Sequence, residues 1–247
     1  MLDIAKFLDD YAELSESEIA SRAAANTGLT AGVRSALLDL WWEISTQRGH
    51  MASLRNADRY RGQAHLKLHL GCGSEHKPGW INVDLRPDAD LQLDVREALP
   101  FMEGRVSIIY SEHFFEHLEY PAEIVHLLRE SLRVLEPGGR FSVGVPDAEE
   151  ALFQYAQGKL PALLQEWSQD KNLRWFPQWV WTTPMHYINF FFRQGREHKY
   201  AYDFETLARV LTEAGFTDVK RRDFQPDIDS EHRRDGTLYV DAFKPRS

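Results

Sequence analysis

The sequence holds a single cysteine, Cys72, in 247 residues, so it can close no intramolecular disulfide and build no cysteine-based zinc knuckle. It also lacks an excess of cations. With 38 Asp and Glu against 29 Lys and Arg, the formal net charge is -9, which excludes the positive footprint that duplex nucleic acid demands. Long apolar runs are missing as well. The longest uncharged stretch, 175–192, contains Pro177, Gln178, Thr182, Thr183, Pro184, His186 and Asn189 and is too polar to be a membrane span. The first ten residues include Asp3, Asp9 and Asp10 and show no basic-then-apolar signal pattern. These absences predict a soluble, cytoplasmic protein. A 43% hydrophobic and 27% charged composition is that of an ordinary globular chain, and the length allows one domain with an appendage.

Residues 1–60 read as a helical appendage. Ser15 and Glu18 have capping-box spacing and open a helix reaching Ala25. Thr30 caps a second helix, with Val33, Leu37, Leu38, Trp41 and Ile44 on an apolar stripe. The polar stretch 47–64 reads as a linker. From Leu66 the period shortens to two. Strands are expected at 66–70, 80–85, 91–95, 106–110, 140–145, 217–223 and 237–243, with helices at 121–135 and 203–214. Strands alternating with helices predict an α/β fold, a Rossmann-like, doubly wound, mostly parallel seven-stranded sheet at 61–247.

The first strand runs into Gly71-Cys72-Gly73, a tight turn at the carboxyl edge of the sheet, where ligands bind in such folds. Asp84 and Asp94 end the next two strands and overhang the same edge. One carboxylate can accept both hydroxyls of a ribose diol, and the other an adenine amine.

These segments, with Arg133-Val134-Leu135-Glu136-Pro137-Gly138-Gly139 and the late stretch 207–216, resemble the ordered motifs of class I S-adenosylmethionine-dependent methyltransferases. The resemblance implies S-adenosyl-L-methionine as methyl donor. It places Gly71, Cys72 and Gly73 under the methionine part, Asp84 with Leu85 at the ribose, Asp94 with Val95 at the adenine, and Ser111 beside them. Only ten residues separate Gly73 from Asp84, so the usual intervening helix is expected to be replaced by a loop. A similar short connection, followed by Gly-Trp-x-Asn-Val-Asp, marks predicted methyltransferases associated with bacterial surface polysaccharides.

After the fourth strand comes Ser111-Glu112-His113-Phe114-Phe115-Glu116-His117-Leu118. His113-x-x-Glu116-His117 matches an inverted zincin pattern, but Pro121 leaves no room for the helix that such a protease needs. The run is closer to the Glu-x-x-Glu-His of small-RNA and ubiquinone-pathway O-methyltransferases, with His113 in place of the first glutamate. That likeness implies a divalent metal held by His113, Glu116, His117 and His198, a donor set suited to Zn, Fe, Mn or Co rather than Mg. The alternative is a metal-free site with His113 or His198 as general base.

Tyr155-x-x-x-Lys159 with Ser142 mimics a short-chain dehydrogenase set, but a third glycine is missing after Gly73. An NAD-dependent oxidoreductase is therefore the minor alternative, beside a non-catalytic donor-binding scaffold. An aromatic-rich insertion at about 148–198, with eight aromatics in 174–192, is expected to serve as acceptor lid or packing face. The acceptor is expected to be a small molecule or glycan methylated on oxygen. Trp41 and Trp42 diverge by about 100° on a helix, so one should pack on the domain while the other covers the acceptor mouth or a second subunit. Homo-oligomerisation through the N-terminal helices is expected on the same ground. Removal of 1–55 is expected to spare cofactor affinity.

Overall fold

The computed structural model describes residues 28–169 and 176–246, together with Glu18, Ile19 and Ser21. The capping box at Ser15, most of the first expected helix and Trp175 lie outside the described residues. The elements follow in the order α1 (Ala31–Ala57), β1 (Leu66–Leu70), β2 (Ile81–Asp84), β3 (Leu91–Gln92), β4 (Val106–Glu112), α2 (Ala122–Val134), β5 (Leu135–Pro146), α3 (Ala148–Ala156), α4 (Leu160–Trp167), α5 (Pro184–Arg193), α6 (Phe204–Ala214), β6 (Thr217–Arg221) and β7 (Thr237–Phe243). The seven strands lie in the order β3-β2-β1-β4-β5-β7-β6. All neighbours are parallel except the pairs made by β7. The doubly wound, mostly parallel sheet expected from the sequence is present. No helix among the described residues is long and apolar enough to cross a membrane.

Strand alternation gives the sheet two unlike faces. Leu68, Leu70, Ile109, Phe141, Val143, Val240 and Ala242 join one core with Leu127 and Leu128 of α2 and Leu207 and Leu211 of α6. On the other face the register aligns Asn82, His69, Tyr110, Ser142 and Asp241 across five strands. That polar row is covered by the connection after β6, whose Asp229 is buried against Tyr110 and Arg222.

The supposed linker at 47–64 is a correction to the sequence reading: α1 runs unbroken to Ala57 and packs along β3. β3 is an edge strand, and its outer amides need acceptors. Ser53 Oγ accepts from Gln92 N at 2.8 Å and His50 Nδ1 from Asp94 N at 3.2 Å. The polar residues that looked like linker are the groups that close the sheet edge. Thr30 caps the helix as expected, accepting from Val33 N.

Between β1 and β2 no helix forms. Asn82 holds the loop instead: its Oδ1 accepts from Lys77 N at 2.8 Å, while its Nδ2 donates to Lys77 O and Asp90 Oδ2.

Candidate active site

The turn after β1 needs glycine. Gly71 has φ +65°, and a Cβ there would stand 2.2 Å from the Phe114 ring. Asp84, at the end of β2, accepts from Gly73 N at 2.7 Å and from Arg86 N at 3.0 Å, so one carboxylate fixes both the turn and the following loop. Burial, and then Asp84, pushes the Cys72 thiol up to about 12, which removes it as a nucleophile at neutral pH.

Asp94 is gripped by Arg96, whose Nε lies 3.0 Å from both carboxylate oxygens and whose NH2 lies 2.8 Å from Oδ2. Burial acts to raise the Asp94 pKa, but these bonds prevail and hold it below the usual range. The same guanidinium donates twice to Glu43 of α1, at 3.1 and 2.7 Å. Trp41, Trp42, Glu43 and Thr46 of α1 therefore stand on the wall of the cavity that Gly71, Cys72, Gly73, Asp84, Leu85, Asp94 and Val95 also border. Trp41 is buried, whereas Trp42 is 48% exposed on the rim.

The cavity, about 1270 Å³, exceeds the ~300–1,000 Å³ of a single small-molecule pocket. His113 and His117 border the same cavity. A 3₁₀ turn, Phe115–His117, places Glu116 in the interior at 2% exposure. Three imidazoles face its Oε1: His113 Nδ1 at 3.8 Å, His117 Nε2 at 3.9 Å and His198 Nε2 at 3.9 Å. His198 is carried there by a docked segment, since Lys199 N and Tyr200 N both donate to Glu116 O. Glu116, His117 and His198 offer ligand atoms within 4.8 Å of one another. His113 lies just outside that group.

Hydrogen bonding fixes two of the tautomers. His198 Nδ1 lies 2.8 Å from the Phe191 carbonyl, which can only accept, so Nδ1 carries the proton and Nε2 presents a lone pair. Thr237 Oγ1 donates to Arg233 O at 2.6 Å and so accepts from His113 Nε2 at 2.8 Å. The His113 lone pair is then on Nδ1, facing Glu116. Burial holds His113 and His198 below their ordinary range; burial, and then His198, lowers His117 to about 4. Burial raises Glu116 to about 8, and neither of its oxygens has a hydrogen-bond partner. Lone pairs aimed at an unpartnered buried carboxylate repel one another unless a proton or a metal ion lies between them. The donor set fits a divalent metal, with His198 donating its other nitrogen to a carbonyl as metal-ligating histidines do.

Two of the expected site residues lie off this cavity. Ser111 is 1% exposed and does not border the cavity, because β4 runs on to Glu112 and keeps Ser111 inside the sheet, paired with Leu70 and Val143. His198 does not border the cavity either. With Glu116 it lines a separate void of about 10 Å³, within the cluster and off the cavity wall. Sequence reasoning missed Glu43, Arg96, Lys199, His232 and Arg233, all on the cavity wall. Arg96 follows Asp94 closely enough to have been suspected. The others sit on a distant helix or on irregular segments that carry no period.

A methyltransferase-domain family model matches residues 41–221. The chain belongs to this family and is a class I S-adenosylmethionine-dependent methyltransferase, with S-adenosylmethionine as its methyl donor. No protein of curated function matches its sequence. It is similar to a SAM-dependent methyltransferase from Archaeoglobus fulgidus at 18% identity, over 82% of this chain and 94% of that one, with a TM-score of 0.45. It is also similar to a SAM-dependent methyltransferase from Methanosarcina mazei at 14% identity, over 78% and 98%, with a TM-score of 0.45. Likeness at this level speaks to neither acceptor nor partner.

Proposed function

We propose that this methyltransferase transfers the donor's methyl group to a hydroxyl oxygen of a small-molecule or glycan acceptor bound at the histidine–glutamate cluster. The observation that carries this reading is continuity: the glycine turn, Asp84 and Asp94 share one cavity with His113 and His117. S-adenosylmethionine supplies an electrophilic methyl on a sulfonium. In this reading Asp84 accepts from the ribose diol, Asp94 is presented to the adenine by Arg96, and Gly71 and Gly73 leave room for the methionine part. Leu85 and Val95 flank the base.

His113, Glu116, His117 and His198 would hold a divalent metal. What a borderline ion supplies at such a site is acidification and orientation of a bound hydroxyl. The residues supply the rest. His113 and His117 reach the cavity as neutral imidazoles that turn Nδ1 and Nε2, respectively, toward Glu116, and without a metal those are the nitrogens that would take up a proton. Trp42 on the rim favours a ring-bearing acceptor and limits water.

In the same reading residues 1–60 are an appendage whose second helix completes the donor wall of the domain at 61–247. The protein acts in the cytoplasm, and the exposed Val33, Leu40 and Met51 of α1 favour association of copies. Elemental analysis, with methyl transfer assayed before and after chelation, tests the metal. Loss of transfer on chelation and recovery with Mn or Zn support it; full activity after chelation leaves His113 or His117 as a metal-free base.

A further inference from the structure

The cavity carries charges of both signs, and its cations differ in how they are paired. At its donor end the cations are already bonded to acids, Arg96 to Asp94 and Glu43, and Arg86 to Asp88. Glu123, at the start of α2, also faces Arg96 at 3.9 Å. Beside His113 and His117, Lys199, His232 and Arg233 border the cavity, with Glu119 and Glu197 as acids on the same wall. Among the described residues neither the Lys199 ammonium nor the His232 ring makes an ion pair or hydrogen bond.

Arg233 is built in rather than loosely placed. Its NH1 donates to Glu112 O at 2.8 Å and lies 3.7 Å from Glu112 Oε2. Glu112 is buried and does not border the cavity, so the guanidinium is held from behind. The segment bearing Arg233 and His232 is pinned beneath by Asp229, which accepts from Arg222 at 2.6 and 2.7 Å, from Gln225 N at 2.6 Å and from Tyr110 OH at 3.0 Å. Ser230 N and Tyr239 OH then both donate to Glu112 Oε1 at 3.1 Å. Lys199 is rooted at the cluster through its own N–H to Glu116 O at 2.7 Å. Two unrelated segments thus bring cationic side chains to the place where the acceptor must lie. A guanidinium with free N–H groups favours carboxylate or phosphate geometry, and an ammonium without an ion-pair partner beside it adds a second point of attraction.

Resting on the methyltransferase reading of this site, we propose that the acceptor carries an anionic group, a phosphate ester or a carboxylate, which Arg233, Lys199 and His232 hold beside the hydroxyl to be methylated. The probes are inorganic phosphate and, separately, acetate. Each is titrated at constant ionic strength into protein saturated with S-adenosylhomocysteine and stripped of metal, with calorimetry as readout. Saturable binding of one probe is expected, and the tighter of the two names the source. Lys199→Met and His232→Ala should each weaken it several-fold while leaving S-adenosylhomocysteine affinity unchanged. Arg233→Met would strand the buried Glu112, so the two exposed positions carry the test. Absence of saturable binding, or binding that survives unchanged in the Lys199→Met/His232→Ala double variant, would overturn the proposal. Failure of S-adenosylhomocysteine itself to bind would overturn the donor-site reading beneath it, so the two failures are distinct.

Discussion

Asp84 ends β2 and Asp94 follows β3 by two residues, yet their surroundings give them different work. Asp84 is tied to main-chain amides of its own loops, and Asp94 to a side chain that also reaches another helix. Removing the Asp84 carboxylate takes away an acceptor for the ribose and the partner of Gly73 N. Asp84→Ala should therefore weaken S-adenosylmethionine binding by about 1.5–3 kcal/mol, roughly tenfold to a hundredfold, as read by calorimetry; an unchanged Kd would remove Asp84 from the donor site. Glu116 poses the opposite problem, a buried carboxyl without a partner. A metal that binds only the folded state raises Tm, so added Zn should stabilise the wild type and have little effect on Glu116→Gln. Equal shifts in both proteins would place the ion elsewhere. The glycine turn, both aspartates and the His113–His117 run were legible because each follows a strand end closely in sequence. Arg233 and Lys199 were not, since only tertiary docking brings them to that end.

Among the elements, α1 departs furthest from its sequence reading. The stretch 47–64 looks like linker because its interior-facing residues are polar, and they are polar because an edge strand needs hydrogen-bond acceptors there. His50, Ser53 and Glu43 bind the β3 edge and Arg96, and Trp41 and Thr46 wall the cavity. Deletion of 1–55 should therefore lower donor affinity, contrary to the expectation from sequence. Glu43→Gln, which keeps the helix, should lower it less. Calorimetry on both variants checks the order, and an unaffected deletion variant would make α1 a passive cover. The strands, by contrast, announced themselves through alternation, though β3 and β6 are shorter than their apolar runs suggested. The polar row on the open face has its own signature. Burial, and then Lys77, lowers His69 to about 3. It is neutral in the fold but takes up a proton on unfolding below about pH 6.5, so its contribution to stability is complete above that pH. The contribution is lost as pH falls from about 6.5 to 3. His69→Asn should flatten the acid limb of a stability-versus-pH curve, and an identical limb would show that other groups set it.

For the molecule as a whole, the sheet divides labour between its faces and its ends. One face is packed by helices. The other is closed by buried ion pairs and hydrogen bonds that hold the segment bearing His232 and Arg233, and the carboxyl edge between them carries the cavity. Net charge -9 describes the whole chain but hides the cations gathered at the acceptor end. Composition speaks to the charge of the whole chain; it could not reveal how charge is distributed inside one cleft. The central claim is that one cavity holds the methyl donor at the glycine turn and a metal-assisted acceptor site at the histidine cluster. A crystal structure with S-adenosylhomocysteine and Zn, recorded at the zinc edge, tests it most directly. The account predicts the nucleoside beside Asp84 and Asp94, and an anomalous peak about 2.0–2.2 Å from ligand atoms of Glu116, His117 and His198. Nucleoside density away from Asp84, or zinc bound elsewhere while the cluster stays closed on itself, would contradict it.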